Sequence, residues 1–432
     1  MHTAAMRCLS GCAIASFALA TGPAWGGAFQ LNERSTKSQG MSFADSVSGA
    51  KDPSYAGFNP AALSKVQGLE MSGNASIIFP ISDGETQRAV LNGQPVPLSA
   101  VPSSVALDTN ADRSGFVPAS AIGYRLNEDV AIGITVNAPF GLSTENPNNF
   151  IGAADGIQSN LLTVNISPAL AWSITDRIAI GASVDLLYVD ARLTSTPVNL
   201  DGRGFSIGYS VGTLLEPLDG TQVGIAYHSG HDVDVGASAI LSPDAPGALG
   251  TLAGINFPAN VFASLPATFQ AGVTQKITDR ARISAEFRYI FWSDFDSIDT
   301  EVPQFNFVSE DPQNYDDAIF AAVGGEYDLF DHTTVRFGMA WDQSPTVDTT
   351  SLDDAGLGRT VRVPDADRLW FSAGASHRMN LLGFDTELDV AYSYLLALEN
   401  PEVIVRAGPF AGSEIEYDGG AHIFSVGGTI RF

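Results

Sequence analysis

The last twelve residues of the chain, 421–432, alternate between apolar and polar side chains. Counting back by twos from the carboxyl terminus gives one register of Phe432, Ile430, Gly428, Val426 and Phe424, against Arg431, Thr429, Gly427 and Ser425. A β-strand places alternate residues on opposite faces, so this pattern indicates a strand lying between two unlike media. A terminal Phe after such a strand is typical of bacterial outer-membrane barrels, in which one face of each strand meets lipid.

Alternating segments continue along the chain from residue 68 onward. We identify fourteen, near residues 68–80, 113–125, 129–138, 160–174, 177–192, 204–216, 221–231, 266–277, 281–292, 315–328, 332–343, 367–379, 383–395 and 419–432. Short turns and long loops alternate between them, the rhythm of outer-membrane barrels. The sequence therefore predicts an all-β fold, a 14-stranded antiparallel transmembrane β-barrel over residues 68–432. Aromatic residues near strand ends are expected at the membrane interfaces: Tyr188, Phe291, Trp292 and Trp341.

The amino terminus predicts export. Arg7 precedes an apolar run over residues 8–20 and then Ala24-Trp25-Gly26, a small-x-small cleavage pattern. Because the run is too short to cross a bilayer, residues 1–26 are predicted to be a signal peptide. The expected location is the outer membrane of a Gram-negative bacterium. The formal net charge of −26 argues against nucleic acid as a partner.

Residues 27–67 do not fit the strand pattern. They hold small and polar residues, with prolines at positions 53 and 60. Fourteen strands enclose a lumen wider than side chains alone fill, so this segment is predicted to be an N-terminal hatch, or plug, inside the barrel. A periplasmic tail is the open alternative.

Several motifs resemble those of the FadL family of outer-membrane transporters for hydrophobic compounds. They are Gly27-Ala-Phe-Gln-Leu-Asn-Glu33, Phe58-Asn-Pro-Ala-Ala62, Asn137-Ala-Pro-Phe-Gly-Leu-Ser-Thr-Glu145, Leu265-Pro-Ala267, Phe291-Trp-Ser-Asp-Phe295 and Pro364-Asp-Ala-Asp-Arg-Leu-Trp-Phe-Ser-Ala-Gly374. The resemblance spans essentially the whole mature chain. It implies a fourteen-stranded barrel with a hatch and passive uptake of long-chain fatty acids or hydrocarbons.

Two motifs are candidates for mechanical roles. Asn59, Pro60 and Ala61 are expected to hold the hatch, because Asn bonds locally and Pro fixes φ. Pro139 and Gly141 mark a bend or bulge at the end of the third strand. The resemblance implies that this kink opens the wall and lets ligand leave sideways; an ordinary loop start is the alternative.

Six residues are candidates for ligand binding. Phe29 and Leu31 are placed near the ligand pocket, with anchoring of the hatch as their alternative role. The unusually apolar segment 232–265 is interpreted as an extracellular capture loop containing Ile255, Phe257 and Phe262, or else as a self-packed loop tip.

The head group of a fatty acid poses a separate question. The resemblance implies basic partners for its carboxylate after strand 5 and before strand 10, where ungapped matching places Ser195 and Asp311. A luminal arginine is the candidate substitute: Arg288, the sixth candidate, or else Arg282 or Arg336. A charge-balanced wall network with Glu286 is the open alternative.

Other signals point away from catalysis and metal binding. Gly208-Tyr-Ser-Val-Gly212 matches a hydrolase motif but lies inside a strand rather than at a strand–turn–helix. His228 and His231 are expected on opposite faces of a strand, and Asp365 and Asp367 in solvent. No enzyme, cofactor or metal is predicted.

The predicted function is passive transport of hydrophobic compounds, long-chain fatty acids first. Uptake of uncharged aromatic or aliphatic hydrocarbons and general diffusion of polar solutes are the alternatives. The expected partners are hydrophobic small molecules, outer-membrane lipid, lipopolysaccharide and the barrel-assembly machinery acting on the strand that ends at Phe432.

Overall fold

The computed structural model describes residues 27–111, 113–243, 247–346 and 359–432, so the predicted signal peptide lies outside the described residues. In these ranges 24 strands form, 19 of them in one antiparallel sheet. Their bounds are β1 Leu69–Ile81, β2 Asp83–Leu91, β3 Gln94–Val96, β4 Asp108–Asn110, β5 Gly115–Arg125, β6 Val130–Asn137, β7 Gly141–Glu145, β8 Gln158–Thr175, β9 Ile178–Thr194, β10 Val198–Leu218, β11 Thr221–His228, β12 His231–Leu241, β13 Asn256–Leu265, β14 Thr268–Lys276, β15 Ala281–Ile290, β16 Ser297–Val302, β17 Phe307–Pro312, β18 Ala318–Phe330, β19 Thr333–Asp342, β20 Arg368–Leu381, β21 Phe384–Ala397, β22 Glu402–Ile404, β23 Glu414–Tyr417 and β24 Gly420–Arg431.

The large sheet closes on itself. β1 pairs with β24 from Glu70–Arg431 to Ile81–Gly420, and with β5 on its other side. Five positions of the ring hold two consecutive strands separated by a short break: β6 with β7, β11 with β12, β13 with β14, β15 with β16, and β17 with β18. Over the described ranges the ring therefore has 14 positions, which confirms the predicted antiparallel barrel.

The two faces of the wall differ as the alternation predicts. In β9 the outward residues Ile178, Ile180 and Val184 are exposed, whereas the inward Ser183 and Asp185 are buried. Exposed aliphatic side chains around the outer face match a hydrocarbon surrounding. Among the described residues, none of the helices has the length and apolar character needed to cross a membrane.

The wall extends beyond the predicted strands at the long-loop end. β9 ends at Thr194 and β10 begins at Val198, so the predicted loop 193–203 is a three-residue turn. The predicted capture loop 232–265 is largely a hairpin of β12 and β13, with only residues 242–255 between them. The interpretation of residues 232–265 as one long loop was wrong. Inward and outward side chains continue to alternate beyond a break at Ser229–Gly230, so the strands extend into this segment.

A second, five-stranded sheet covers the same end of the barrel. It contains β2, β3, β4, β22 and β23, which come from two connections distant in sequence. A buried apolar cluster lies beneath it and includes Phe150, Val361, Val403, Ile415 and Tyr417. We did not predict this sheet, because its strands have three to nine residues and pair across the chain.

Candidate functional site

Residues 27–67, called the hatch from here on, are nearly all buried and contact strands on several sides of the ring. The hatch has one short helix, α1 Thr36–Gln39, and two 3-10 helices, Pro53–Gly57 and Pro60–Lys65. Its small polar residues bond to the polar inner wall: Ser42 Oγ to Ser372 Oγ at 2.8 Å, Ser46 Oγ to Glu286 Oε1 at 2.6 Å and Ser48 Oγ to Thr274 Oγ1 at 2.8 Å. A polar lumen thus explains the hatch composition.

Asn59, Pro60 and Ala61 lie at one of several places where the hatch closely approaches the wall. Asn59 Oδ1 accepts a bond from Ala61 N at 3.0 Å, and its Nδ2 donates to the carbonyl oxygens of Val47 at 2.8 Å and Thr213 at 2.9 Å. Wall glycines make this approach possible. A Cβ at Gly212 would lie 2.1 Å from Asn59 Oδ1. That these three residues hold the hatch stays a prediction.

Arg288 is buried where the hatch meets the wall. Its Nε bonds to Glu286 Oε1 at 2.6 Å, Nη1 to Asn32 Oδ1 at 2.5 Å and Nη2 to Ser46 Oγ at 3.0 Å. The guanidinium also lies 4.6 Å from the centre of the Phe320 ring. These contacts match the charge-balanced network considered from the sequence. A role of Arg288 in ligand binding remains a prediction.

The hatch begins with residues paired to the third barrel strand. Leu31 N donates to Pro139 O at 2.8 Å, and Gly141 N donates to Phe29 O at 2.9 Å. A Cβ at Gly141 would lie 2.9 Å from Leu31 Cδ1, so the glycine leaves room for the leucine. Phe29 and Leu31, both predicted ligand contacts, therefore lie against the predicted kink at Pro139 and Gly141.

The third barrel strand is interrupted at this point. β6 ends with Asn137 opposite Asn165, and β7 begins with Gly141 opposite Leu162. Residues 138–140 therefore lie opposite only two residues of β8, the arrangement of a β-bulge. On the other side, β5 pairs with β6 only from Ser120 to Arg125. The wall consequently has a gap in its hydrogen-bond ladder between residues 115–119 and β7.

Aromatic rings fill the lumen beside this gap. Phe29 contacts Trp292 with ring centroids 4.8 Å apart, Phe295 at 5.2 Å and Phe140 at 6.1 Å. Tyr315 completes the group against Trp292 at 5.7 Å. Trp292 is fully buried here, so its predicted place at the membrane interface was wrong. The break between β15 and β16 turns its side chain into the lumen.

The first hatch residues are also held by carboxylates. Gly27 N donates to Asp342 Oδ2 at 3.1 Å and Ala28 N donates to Asp365 Oδ2 at 2.9 Å. Arg368 bonds to Asp365 at 2.8 Å and to Asp342 at 3.3 Å. Asp365 is fully buried, so its predicted place in solvent was wrong; a buried carboxylate needs such a partner.

A small polar cavity of about 40 Å³ lies on the other side of the kink. It is lined by Pro139 and Phe140 and by polar side chains of the hatch and wall, among them Arg34, Asp185, Ser210, His228, His231 and Gln270. Both histidines face it, which contradicts the predicted opposite faces. The break at Ser229–Gly230 between β11 and β12 resets the alternation. No group of three His, Cys, Asp or Glu side chains in the described ranges is arranged to hold a metal ion.

The other three predicted ligand residues lie on the hairpin of β12 and β13. Ile255 and Phe262 are exposed, whereas Phe257 is buried in a cluster with Ala239, Ala259 and Val302. The Phe257 ring also contacts Phe305 at 5.1 Å. The hairpin is therefore partly self-packed.

Two arginines lie where the resemblance implies carboxylate partners. Arg362 donates to Thr194 O at 3.3 Å, next to Ser195, and Arg406 lies 3.9 Å from Asp311. Burial lowers the pKa of Arg362, although Asp311 and Asp155 oppose this effect. We did not single out these arginines, because they belong to the loops after the eleventh and before the last barrel strand, and only the fold brings them to these positions.

The carboxyl of Glu33 is expected to make the docking of residues 27–67 depend on pH. Burial raises its pKa to about 7, although a bond from Asn32 N at 3.0 Å and the nearby arginines oppose this effect. The docked hatch therefore binds the proton more tightly than an exposed hatch, and docking weakens as pH rises from 4.5 to about 7. Over this range the docking free energy should weaken by at most about 3 kcal/mol. We therefore expect the hatch to open more often in planar bilayers as the pH rises.

Substituting Glu33→Gln tests this expectation. The variant should open at a frequency that is independent of pH in that range, and Glu128→Gln, at an exposed turn, should behave like wild type. Equal pH dependence in Glu33→Gln and wild type would assign the effect to another group.

The chain matches known proteins along most of its length. The family model described as outer membrane protein transport protein (OMPP1/FadL/TodX) matches residues 17–432. A 47 kDa outer membrane protein of Pasteurella multocida is 26% identical over 89% of this chain and 91% of the relative. A long-chain fatty acid transport protein of Salmonella typhi is 23% identical over 95% of each chain.

Solved structures share the fold. A FadL homologue of Pseudomonas aeruginosa superposes with a TM-score of 0.81 at 21% identity, over 93% of this chain and 99% of that one. The toluene transporter TbuX of Ralstonia pickettii gives a TM-score of 0.60 at 18% identity, over 91% and 98%. With its match over nearly the whole length, this chain belongs to the OMPP1/FadL/TodX family of outer membrane transport proteins.

Proposed function

We propose that this protein carries long-chain fatty acids passively across the outer membrane. Its family consists of transport proteins rather than enzymes, and hydrophobic compounds are the class of cargo that this family carries. The choice of fatty acids is supported by curated relatives of nearly equal length that are named for them.

The observation that carries the proposal is the gap beside the bulge at residues 138–140. The buried rings of Phe29 and Phe140 lie at the inner side of this gap, and lipid lies at its outer side. An apolar ligand that displaces these rings would pass from the lumen into the bilayer without crossing water. Transfer of its surface into such surroundings is favourable by roughly 25 cal/mol per Å².

The path starts at the long-loop end. Ile255 and Phe262 offer exposed apolar surface on the hairpin, and Arg362 and Arg406 supply positive charge for a carboxylate. Phe29 and Leu31 line the later part of the path, next to the kink. Ligand that reaches them must move the first hatch residues.

Deleting Pro139 tests the side exit. The deletion leaves two residues opposite two of β8, so β6 and β7 should join and pair with β5. We expect cellular uptake of labelled oleic acid to fall roughly tenfold or more, because the opening is closed.

The matched control is Pro139→Ala, which keeps the extra residue and therefore the bulge. Uptake by this variant should stay near the wild-type rate. A folded deletion variant that transports oleic acid as fast as wild type would remove the side exit from the proposal.

Uptake of uncharged hydrocarbons is the second candidate function. It is favoured by the aromatic cluster around Phe29 and by the shared fold with a toluene transporter. Competition decides between the two candidates: toluene should not slow oleic acid uptake if fatty acids are the cargo. Rapid sugar entry in liposome swelling would instead favour general diffusion of polar solutes.

A further inference from the structure

The polar cavity beside the kink holds several buried polar atoms without a protein partner. Arg34 Nε, Gln270 Oε1, His231 Nδ1 and Asn165 Oδ1 have no hydrogen-bond partner among the described residues. All four side chains line the cavity, and those of Gln270 and His231 are more than nine-tenths buried. They come from the hatch and from β14, β12 and β8. Buried polar groups are normally satisfied, so this convergence indicates a polar occupant.

The charges around the cavity favour an anion. Ser210 Oγ bonds to Asp185 Oδ2 and lies 2.7 Å from His228 Nδ1, whereas His228 Nε2 donates to Phe58 O at 2.8 Å. Ser210 has one hydrogen for its two partners, so either Asp185 or His228 Nδ1 must carry a proton. In both arrangements Asp185 and His228 together have no net charge.

The remaining carboxylate oxygen of Asp185 is also occupied. Its Oδ1 accepts bonds from Ser167 at 2.5 Å and from Ser183 at 3.2 Å. The guanidinium of Arg34 therefore supplies the positive charge of the lining, and the nearby Asp185 and Glu33 favour its charged form. Burial and the nearby Arg288 lower its pKa to about 10, so it stays positive at neutral pH.

The size of the cavity suits a carboxyl group. A volume of about 40 Å³ accommodates roughly three water-sized atoms. Phe140 lines the cavity and also contacts the Phe29 ring, so polar and apolar surfaces meet at this residue. A head group in the cavity would leave its apolar tail beside the aromatic cluster and the gap in the wall.

We propose that this cavity is an exit-side subsite for the carboxyl group of a long-chain acid, held by Arg34, His231 and Gln270. The Gln270 amide presents either its oxygen or its NH₂, and His231 donates through a ring nitrogen. Thr144 Oγ1, four residues or about 13 Å of strand beyond the kink, donates to the backbone carbonyl oxygen of Arg362, so this arginine belongs to an earlier part of the path. The inference rests on the proposed transport function and names carboxylic acids, rather than hydrocarbons, as its cargo.

The double variant His231→Leu/Gln270→Leu tests the subsite. Equilibrium dialysis of the purified protein in detergent measures binding of oleic acid and of an alkene with the same number of carbons. We expect the affinity for oleic acid to fall about tenfold, because charge-assisted hydrogen bonds are lost. Affinity for the alkene should not fall, since the apolar surface is retained.

Gln275→Leu is the matched control, because it makes the same change on β14 outside the cavity lining. It should bind both ligands like wild type. An equal loss of both ligands in the double variant would show a merely structural role, and unchanged binding of both would show water as the occupant; either result overturns the subsite. If the wild-type protein binds neither ligand, the proposed transport function fails as well. If the wild-type protein binds both ligands and the double variant shows no selective loss of oleic acid, only the subsite fails and the transport function stands.

Discussion

A valine at position 338 is expected to displace the hatch and to open the barrel to ions. Gly338 lies on β19, and a Cβ there would be 2.1 Å from the backbone carbon of Met41. Backbone cannot move aside as a flexible side chain does, so the hatch must shift. Fourteen strands enclose a lumen too wide for wall side chains to fill, and we expect single-channel conductance to rise at least about tenfold.

Gly73→Val is the matched control. Gly73 also lies in a barrel strand, but a Cβ there would meet nothing within 4 Å. This variant should keep the low wild-type conductance, which separates loss of the hatch from a general effect of valine. A folded Gly338→Val barrel that conducts no better than wild type would disprove the plugging role of residues 27–67.

The barrel strands were predictable because each one alternates locally between lipid-facing and lumen-facing residues. All fourteen ring positions correspond to predicted segments, as in β9, where Ile178 and Ile180 face outward. The resemblance added the family, which the match over residues 17–432 supports. Local alternation says nothing, however, about where a strand breaks.

The breaks decide the chemistry of the site. At Ser229–Gly230 a break brings His228 and His231 to one cavity, although unbroken alternation separates them. After Ile290 another break turns Trp292 from the interface into the lumen. In the sequence the first break is marked locally by Gly230 and the second by the aromatic pair Phe291 and Trp292, and neither mark predicts a break. Sequence reasoning therefore placed the wall correctly and misplaced these side chains.

Charge pairs between residues distant in sequence could not be predicted from local patterns either. Asp365 looked like a loop charge, but the fold surrounds it with Arg368, Ser344 and the backbone of Ala28. The same holds for Arg362 and Arg406 near Ser195 and Asp311. Their positions depend on which loops are neighbours at the end of the barrel. Closure of the ring of strands determines those neighbours, and no short stretch of sequence does.

Charge pairing between hatch and wall is also what should keep the hatch docked. Lys37 Nζ lies 2.7 Å from Asp52 Oδ2, 3.1 Å from Asp389 Oδ2 and 3.9 Å from Glu387 Oε2. Lys37, Asp52 and Asp389 are all nearly inaccessible to solvent. Burial alone would raise the pKa of Asp52, but Lys37 lowers it to about 2.

Replacing Lys37 by Met is expected to weaken hatch docking by about 3–5 kcal/mol, because two carboxylates stay buried without their cation. The part of the pH dependence that comes from Asp52 should also change sign. In wild type the Asp52 contribution is complete above pH 3.8 and is lost as pH falls towards about 2. In the variant the pKa of Asp52 rises, so acid neutralises the carboxyl and docking recovers. Hatch opening measured by conductance between acid and neutral pH checks both effects.

Lys65→Met is the control, since Lys65 belongs to the same hatch but pairs with Glu216 at 3.8 Å in an exposed position. Exposed pairs contribute about 0–1 kcal/mol, so this variant should open no more often than wild type. Adding Asp52→Asn to Lys37→Met should restore part of the docking, because one of the unpaired charges is removed. A Lys37→Met protein that stays closed at neutral pH, or opens more at acid pH, would show that apolar contacts rather than this cation hold the hatch.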